Sequence, residues 1–95
     1  MKAALIRHIK TTDELGNTVE IKLWKVPSSR DKPHGIKYSL VYIVGGQREI
    51  GYDNAEGKGD HRHYGEKEEI YNFVTLHKLT DDFIADMDAY KRSLR

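Results

Sequence analysis

The sequence contains no cysteine. Disulfides, thiolate nucleophiles and cysteine-based zinc sites are therefore excluded. Proline is scarce: the only two, Pro27 and Pro33, fall in one stretch with Ser28, Ser29, Arg30, Asp31 and Lys32, and mark residues 27–35 as a loop. No apolar run approaches the length of a membrane span. Met1 to Lys10 alternates charged and apolar residues without the continuous apolar block of a secretory leader, so a cytoplasmic location with no membrane partner is the default expectation. There is no excess of one charge either. The formal net charge is +1, which excludes a uniformly basic nucleic-acid coat. The halves differ, however: residues 1–50 hold nine Lys/Arg against five Asp/Glu, and residues 51–95 hold seven against ten. A local basic face is compatible with that distribution, and so is a dispersed soluble surface. There is no internal repeat and no low-complexity segment.

What is present is a short globular chain of 95 residues with six tyrosines and one tryptophan available for packing. Residues 1–95 read as a single domain with a thin core. Met1 to Lys10 alternates as a strand. Asp13, Gly16 and Asn17 mark a turn. In Thr18 to Val26, Val19, Ile21 and Leu23 make an apolar face opposite Glu20, Lys22 and Trp24. Ile36 to Val44 is apolar on both faces and predicts a central strand, with Ile36, Tyr38, Leu40, Tyr42 and Val44 on one side. Gly45-Gly46 predicts a tight hairpin turn into Gln47 to Asp53, where Arg48, Ile50 and Tyr52 alternate with Glu49 and Gly51. Gly65 to Glu69 reads as a charged turn and Ile70 to Leu76 as the closing strand. The last element is a helix with Thr80 as N-cap, a staple between Leu79 and Ile84, Asp81 and Asp82 in the first turn, and Lys91, Arg92 and Arg95 in the last. Its apolar stripe is Phe83, Ile84, Met87, Tyr90 and Leu94. The fold class is α+β: an antiparallel β-meander of about five strands with a C-terminal α-helix packed on the sheet.

These elements use nearly all the apolar residues and leave one stretch over. Tyr52 to Tyr64 holds two histidines, three carboxylates, a lysine, an arginine, two tyrosines and two glycines, with Ala55 its single apolar residue. Such a segment cannot be core. If Asp60 to Tyr64 is extended, Asp60, Arg62 and Tyr64 point one way and His61 and His63 the other. Three readings of its chemistry stand side by side. A metal could use His61 and His63 with Asp53 or Asp60, although the spacing is unspecific and no HExxH helix exists. Metal-independent cleavage of RNA needs an acid, a base and cations on the phosphate. His61 and His63 suit acid and base work, and Lys58 and Arg62 suit phosphate. Asp60 could orient a histidine, Gly57 and Gly59 could bring backbone amides close to a phosphate, and Tyr52 and Tyr64 could stack a base. The third reading is structural: Asp53, Asn54, Gly57 and Gly59 are turn formers and the histidines exposed polar residues. His8, His34 and His77 stand alone in sequence and read as surface or satisfied residues.

The run Tyr52-Asp53-Asn54-Ala55-Glu56-Gly57-Lys58-Gly59-Asp60-His61-Arg62-His63 is followed by Glu68, Glu69, Tyr71 and Phe73 and then by a helix rich in Phe, Asp and Ala. In these residues the chain resembles the TumE toxin family of bacterial and archaeal toxin–antitoxin modules, over most of its length and with no departure inside the motif. The resemblance implies a small cytoplasmic toxin neutralised by a cognate helix-turn-helix antitoxin, and an endoribonuclease that arrests translation with RNA as substrate; no cofactor is expected. Asp53, Asn54, Lys58, Asp60, His61, Arg62 and His63 are the positions the motif carries over. The alternatives from other classes are a non-enzymatic nucleic-acid- or protein-binding module and a metal-dependent hydrolase using the His61/His63 pair. A homodimer is compatible with the sequence, and apolar residues outside the core, Trp24 among them, could form the antitoxin-binding patch.

Overall fold

In the computed structural model, residues 3–54 and 59–94 are described. Six strands form one antiparallel sheet in strict chain order: β1 (Ala4–Thr12), β2 (Thr18–Lys25), β3 (Ile36–Val44), β4 (Gln47–Asp53), β5 (His61–Tyr64) and β6 (Lys67–Ile70). One helix, α1 (Leu76–Ser93), crosses β4 on one face of the sheet. The architecture is the expected meander with a C-terminal helix, with six strands in place of about five. Each connection is a hairpin or a short loop because every apolar run alternates and every break carries turn residues. Gly45 and Gly46 both take positive φ, 58° and 79°, as a two-residue hairpin turn requires.

The core lies between β3, β4 and the helix. Tyr38, Leu40, Tyr42, Ile50, Tyr52, Leu79 and Phe83 are buried there with Leu23 of β2. Strand β1 pairs only with β2 and is exposed along its length apart from Ile9. The face of the sheet opposite the helix is open, and carries Lys22, Ser39, Val41, Asp53, His61 and His63 in adjoining cross-strand positions.

The C-terminal third departs from the sequence expectation. Lys67, Glu68 and Glu69, expected in a turn, form strand β6 together with Ile70, while residues 71–75, expected to continue the strand from Ile70, are irregular and Leu76 opens the helix. The reason is the length of the hairpin. Once β5 ends at Tyr64, a tight turn at Gly65-Glu66 returns the chain at once, and β6 pairs Lys67 with Tyr64 and Glu69 with Arg62. Tyr71 and Phe73 then leave the sheet for the core. Tyr71 packs edge-on against Tyr52 at 4.9 Å, and Phe73 lies 4.1 Å from the His34 ring. The helix accordingly starts earlier. Its N-cap is Thr75, whose Oγ1 accepts from the Lys78 N–H at 3.0 Å, while Thr80 sits inside the helix and donates to the Leu76 carbonyl. Leu79 is a core residue and Ile84 is exposed, so the expected staple does not form. Asp81 and Asp82 fall in the second turn, and no acidic residue occupies the first. The buried stripe runs Leu76, Leu79, Phe83, Met87 and Tyr90, and Ile84 and Leu94 face solvent. Lys91 and Arg92 occupy the last turn as expected, and Arg95 lies outside the described residues.

A polar clamp joins the far ends of the chain. Asp13 in the β1–β2 turn accepts from the N–H groups of Leu15 and Asn17 through Oδ1, and from the Tyr42 hydroxyl through Oδ2. Lys91 of the helix reaches Glu14 at 2.8 Å and Asp13 at 3.6 Å. Burial works against ionisation of Asp13, but the hydrogen bonds from Tyr42, Asn17 and Leu15 and the Lys91 charge outweigh it and hold the carboxyl below its ordinary value. A depressed carboxylate stabilises the fold above its unfolded value, about pH 3.9, and that contribution disappears as pH falls through the folded value. Asp13→Asn is therefore expected to lower stability at pH 7 by about 1–2 kcal/mol. Thermal unfolding of the two proteins should converge as the pH is lowered through the folded value. A gap that persists in acid would assign the effect to packing.

Candidate functional site

The polar stretch spans the end of β4, the loop after it and the whole of β5. Register assigns its residues to faces. Tyr52 pairs with Arg62, Asp53 with His61, Gly51 with His63 and Ile50 with Tyr64. Because Ile50 and Tyr52 are core residues, Arg62 and Tyr64 lie on the helix face, and His61 and His63 lie on the open face beside Asp53. Lys58 and Gly57 lie outside the described residues.

On the helix face the motif residues are bound into packing. Arg62 donates to both carboxylate oxygens of Asp86 in α1, Nη2 to Oδ1 at 2.7 Å and Nε to Oδ2 at 2.8 Å, and also donates to Glu69. Its guanidinium lies against the rings of Tyr52 and Tyr64 at 6.0 and 5.8 Å. The hydrogen bond to Asp86 holds its proton still more firmly than usual, against a smaller opposing effect of burial. The Tyr52 hydroxyl donates to the same Asp86 at 2.5 Å, and the ring is 2% exposed, so it offers no open surface for a base. Burial, then Asp86, pushes the Tyr52 phenol far up. Tyr71 likewise donates to Asp82, and an open groove of about 300 Å³ runs between Tyr52, Arg62, Glu69, Tyr71 and the two helix carboxylates.

Asp60 partners a histidine, but not one of the motif pair. Its Oδ2 accepts from the Tyr38 hydroxyl at 2.7 Å and from His34 Nε2 at 3.1 Å. His34 accepts from the Ile36 N–H through Nδ1, which makes it a satisfied residue, as its isolation in sequence implies. Burial, followed by the Asp60 hydrogen bond, raises the Tyr38 phenol beyond any physiological pH. Asn54, 1% exposed, acts as a surrogate for backbone. Its Oδ1 accepts from the Tyr38 N–H at 3.0 Å and its Nδ2 donates to the Ile36 carbonyl at 2.6 Å, so it extends the β3–β4 pairing beyond Asp53.

The opposite face carries the two histidines of the motif. His61 Nδ1 lies 3.2 Å from the Gly59 carbonyl, which can only accept, so Nδ1 holds the proton and Nε2 presents its lone pair. Among the described residues that Nε2 has no partner. Two residues along the same face, His63 sits between opposite charges. Its Nδ1 is 3.1 Å from Arg48 Nη2, and its Nε2 is 3.3 Å from Asp53 and 3.4 Å from Glu68. Arginine can only donate, so Nδ1 is the acceptor and Nε2 carries the proton toward the carboxylates.

Arg48 is the residue that sequence alternation misplaces. Simple period two puts it with Ile50 and Tyr52 on the core face. The β3–β4 register shifts between Tyr42↔Ile50 and Ile43↔Arg48, which leaves Glu49 as an extra residue and turns Arg48 onto the open face with Ile43. Arg48, exposed at 43%, then reaches back toward Asp53 and His63. The one signal in the sequence is Gly51, a small residue inside a strand, where glycine often marks a bulge or a close approach.

Among the described residues no three His, Asp or Glu side chains converge as a group able to hold a metal ion, and no helix is long and apolar enough to cross a membrane. No curated protein and no solved structure matches the chain. A family model described as toxin TumE matches residues 4–91, the whole sheet and nearly all of the helix. The chain therefore belongs to the TumE toxin family, and so to the toxins of toxin–antitoxin systems, which have an antitoxin as partner.

Proposed function

We propose that this toxin is a metal-independent endoribonuclease, working in the cytoplasm to inhibit translation and held in check by a cognate helix-turn-helix antitoxin. The observation that carries the reading is the pair of imidazoles on one open face of β5, clear of the helix. His61 has its proton held on Nδ1 by a carbonyl and, among the described residues, an unpartnered Nε2, the arrangement a general base needs to take the 2′-hydroxyl proton. His63, neutral with its proton on Nε2, lies on the same face beside Asp53 and Glu68 and is proposed to hydrogen-bond the phosphate through that N–H. The leaving oxygen takes its proton from water, and the hydroxide so formed is neutralised by the proton His61 has taken. Lys58 is the cation proposed for the phosphate. Arg62, whose hydrogen bonds go to Asp86 and Glu69, is proposed as the anchor of β5 on the helix.

His61→Ala and His63→Ala are each expected to lower RNA cleavage by purified protein about 10²-fold or more, to relieve growth arrest, and to leave the melting temperature within a few degrees of the parent. The cleavage assay should be unaffected by EDTA. If both variants remain fully toxic, the roles assigned to the histidines are wrong. If cleavage stops on chelation, the histidines serve a metal instead. If the parent protein cleaves no RNA at all, the open face is a binding surface.

A further inference from the structure

We infer that Arg48 is a positioning residue for His63, holding the imidazole as its Nε2–H tautomer, and that Gly51 is glycine so that Arg48 can lie across the strand to do so. The inference rests on the nuclease reading only for its consequence in catalysis, since the tautomer itself can be observed in the resting protein.

Three observations converge on it. The extra residue at Glu49 turns the Arg48 side chain away from the core, to the only face on which it can meet His63. The guanidinium then reaches His63 Nδ1 at 3.1 Å and approaches Asp53 at 3.9 Å. Third, Gly51 pairs directly with His63, and a Cβ placed on Gly51 would lie 2.7 Å from Arg48 Cδ and 3.3 Å from Arg48 Nε. Gly51 has no left-handed φ, so its backbone would accept any residue, and what it lacks is room above it. Among the described residues, the charged groups facing His63 are thus Arg48 and Asp53 from β4 and Glu68 from β6. The carboxylates attract a proton to Nε2, and Arg48 occupies Nδ1 with a donor that can never accept one. Remove the guanidinium and Nδ1 is free to take a proton itself, so a single tautomer is no longer enforced.

Gly51→Ala separates this role from the mere presence of a positive charge. The methyl group pushes the middle of the Arg48 side chain off the strand, while the arginine remains in the protein and the backbone geometry is undisturbed. Two-bond 15N–1H spectra of the histidine rings are the direct readout. In the parent protein, His63 should show Nδ1 as a proton-free acceptor and Nε2 as protonated. Arg48→Ala and Gly51→Ala should both replace that pattern with averaged signals and leave the His61 pattern and the melting temperature unchanged. On RNA, both variants should lose about ten-fold or more in kcat with a smaller change in KM, as expected when a donor to the transition-state phosphate is misplaced rather than removed. A single Nε2–H tautomer that persists in both variants would overturn the inference, because the carboxylates would then suffice. Averaging in Arg48→Ala but not in Gly51→Ala would overturn the part assigned to Gly51. If the ring spectra change as expected and the parent cleaves no RNA, the positioning stands and the nuclease reading falls.

Discussion

Asp86→Ala is expected to lower the stability of this toxin by about 3 kcal/mol, the cost of removing a half-buried carboxylate that accepts charge-assisted hydrogen bonds and one from a buried phenol. The single carboxylate accepts two hydrogen bonds from Arg62 and one from Tyr52. Its loss leaves the Tyr52 hydroxyl without its partner in a ring 2% exposed, and leaves Arg62 with Glu69 alone. It also removes the main polar link between β5 and the helix, because α1 otherwise packs chiefly on β4. For a domain of about 100 residues each kcal/mol is worth roughly 4–8 °C, so the melting temperature should fall by about 15 °C in a circular dichroism scan. Arg62→Ala should fall by a similar amount, and a double-mutant cycle between the two should show coupling well above 1 kcal/mol. The same pair decides what Arg62 does. Arg62→Ala assayed at a temperature where it is folded should still cleave RNA if the residue is an anchor. Folded but inactive protein would return the guanidinium to the phosphate.

Asn54→Ala is the second large effect, about 3 kcal/mol. The side chain satisfies one backbone donor, the Tyr38 N–H, and one backbone acceptor, the Ile36 carbonyl, at a position 1% exposed. Each buried group left unpaired costs about 1–3 kcal/mol. Asn54→Asp discriminates between volume and hydrogen bonding. It keeps the acceptor for Tyr38 but sets an oxygen against the Ile36 carbonyl, so it too should be strongly destabilised at neutral pH, although its size is unchanged. Equilibrium urea unfolding measures both variants, and a loss below about 1 kcal/mol in Asn54→Ala would mean that water replaces the side chain at this site.

These two residues show how the sheet divides a long polar motif between its two faces. Asn54 and Arg62 stand beside the histidines in sequence and serve the fold. Asp53, His61 and His63 share the open face. Period two along β5 is enough to separate Arg62 from the histidines, because side chains in a strand alternate whatever their chemistry. What alternation cannot supply is the partner. Nothing in the sequence joins Arg62 to Asp86, which is 24 residues away and belongs to a different kind of element. The helix start escapes local rules for a related reason. Thr75 and Thr80 are equally good caps in isolation, and the choice falls to Thr75 because Leu79 is needed in the core, which requires the helix already to be formed there.

The sequence by itself determined the meander, the central place of β3, the Gly45-Gly46 turn, the terminal helix and the family, because each depends on local periodicity, turn chemistry or a contiguous motif. The tertiary structure alone decided which partners the polar residues of that motif take. It bound Arg62, Tyr52 and Asn54 into the fold, paired Asp60 with His34, and left the histidines on an open face. It also brought Arg48 to His63 through one extra residue in β4. That placement depends on how β3 and β4 pair, and pairing between strands is a property of two segments that no single segment encodes.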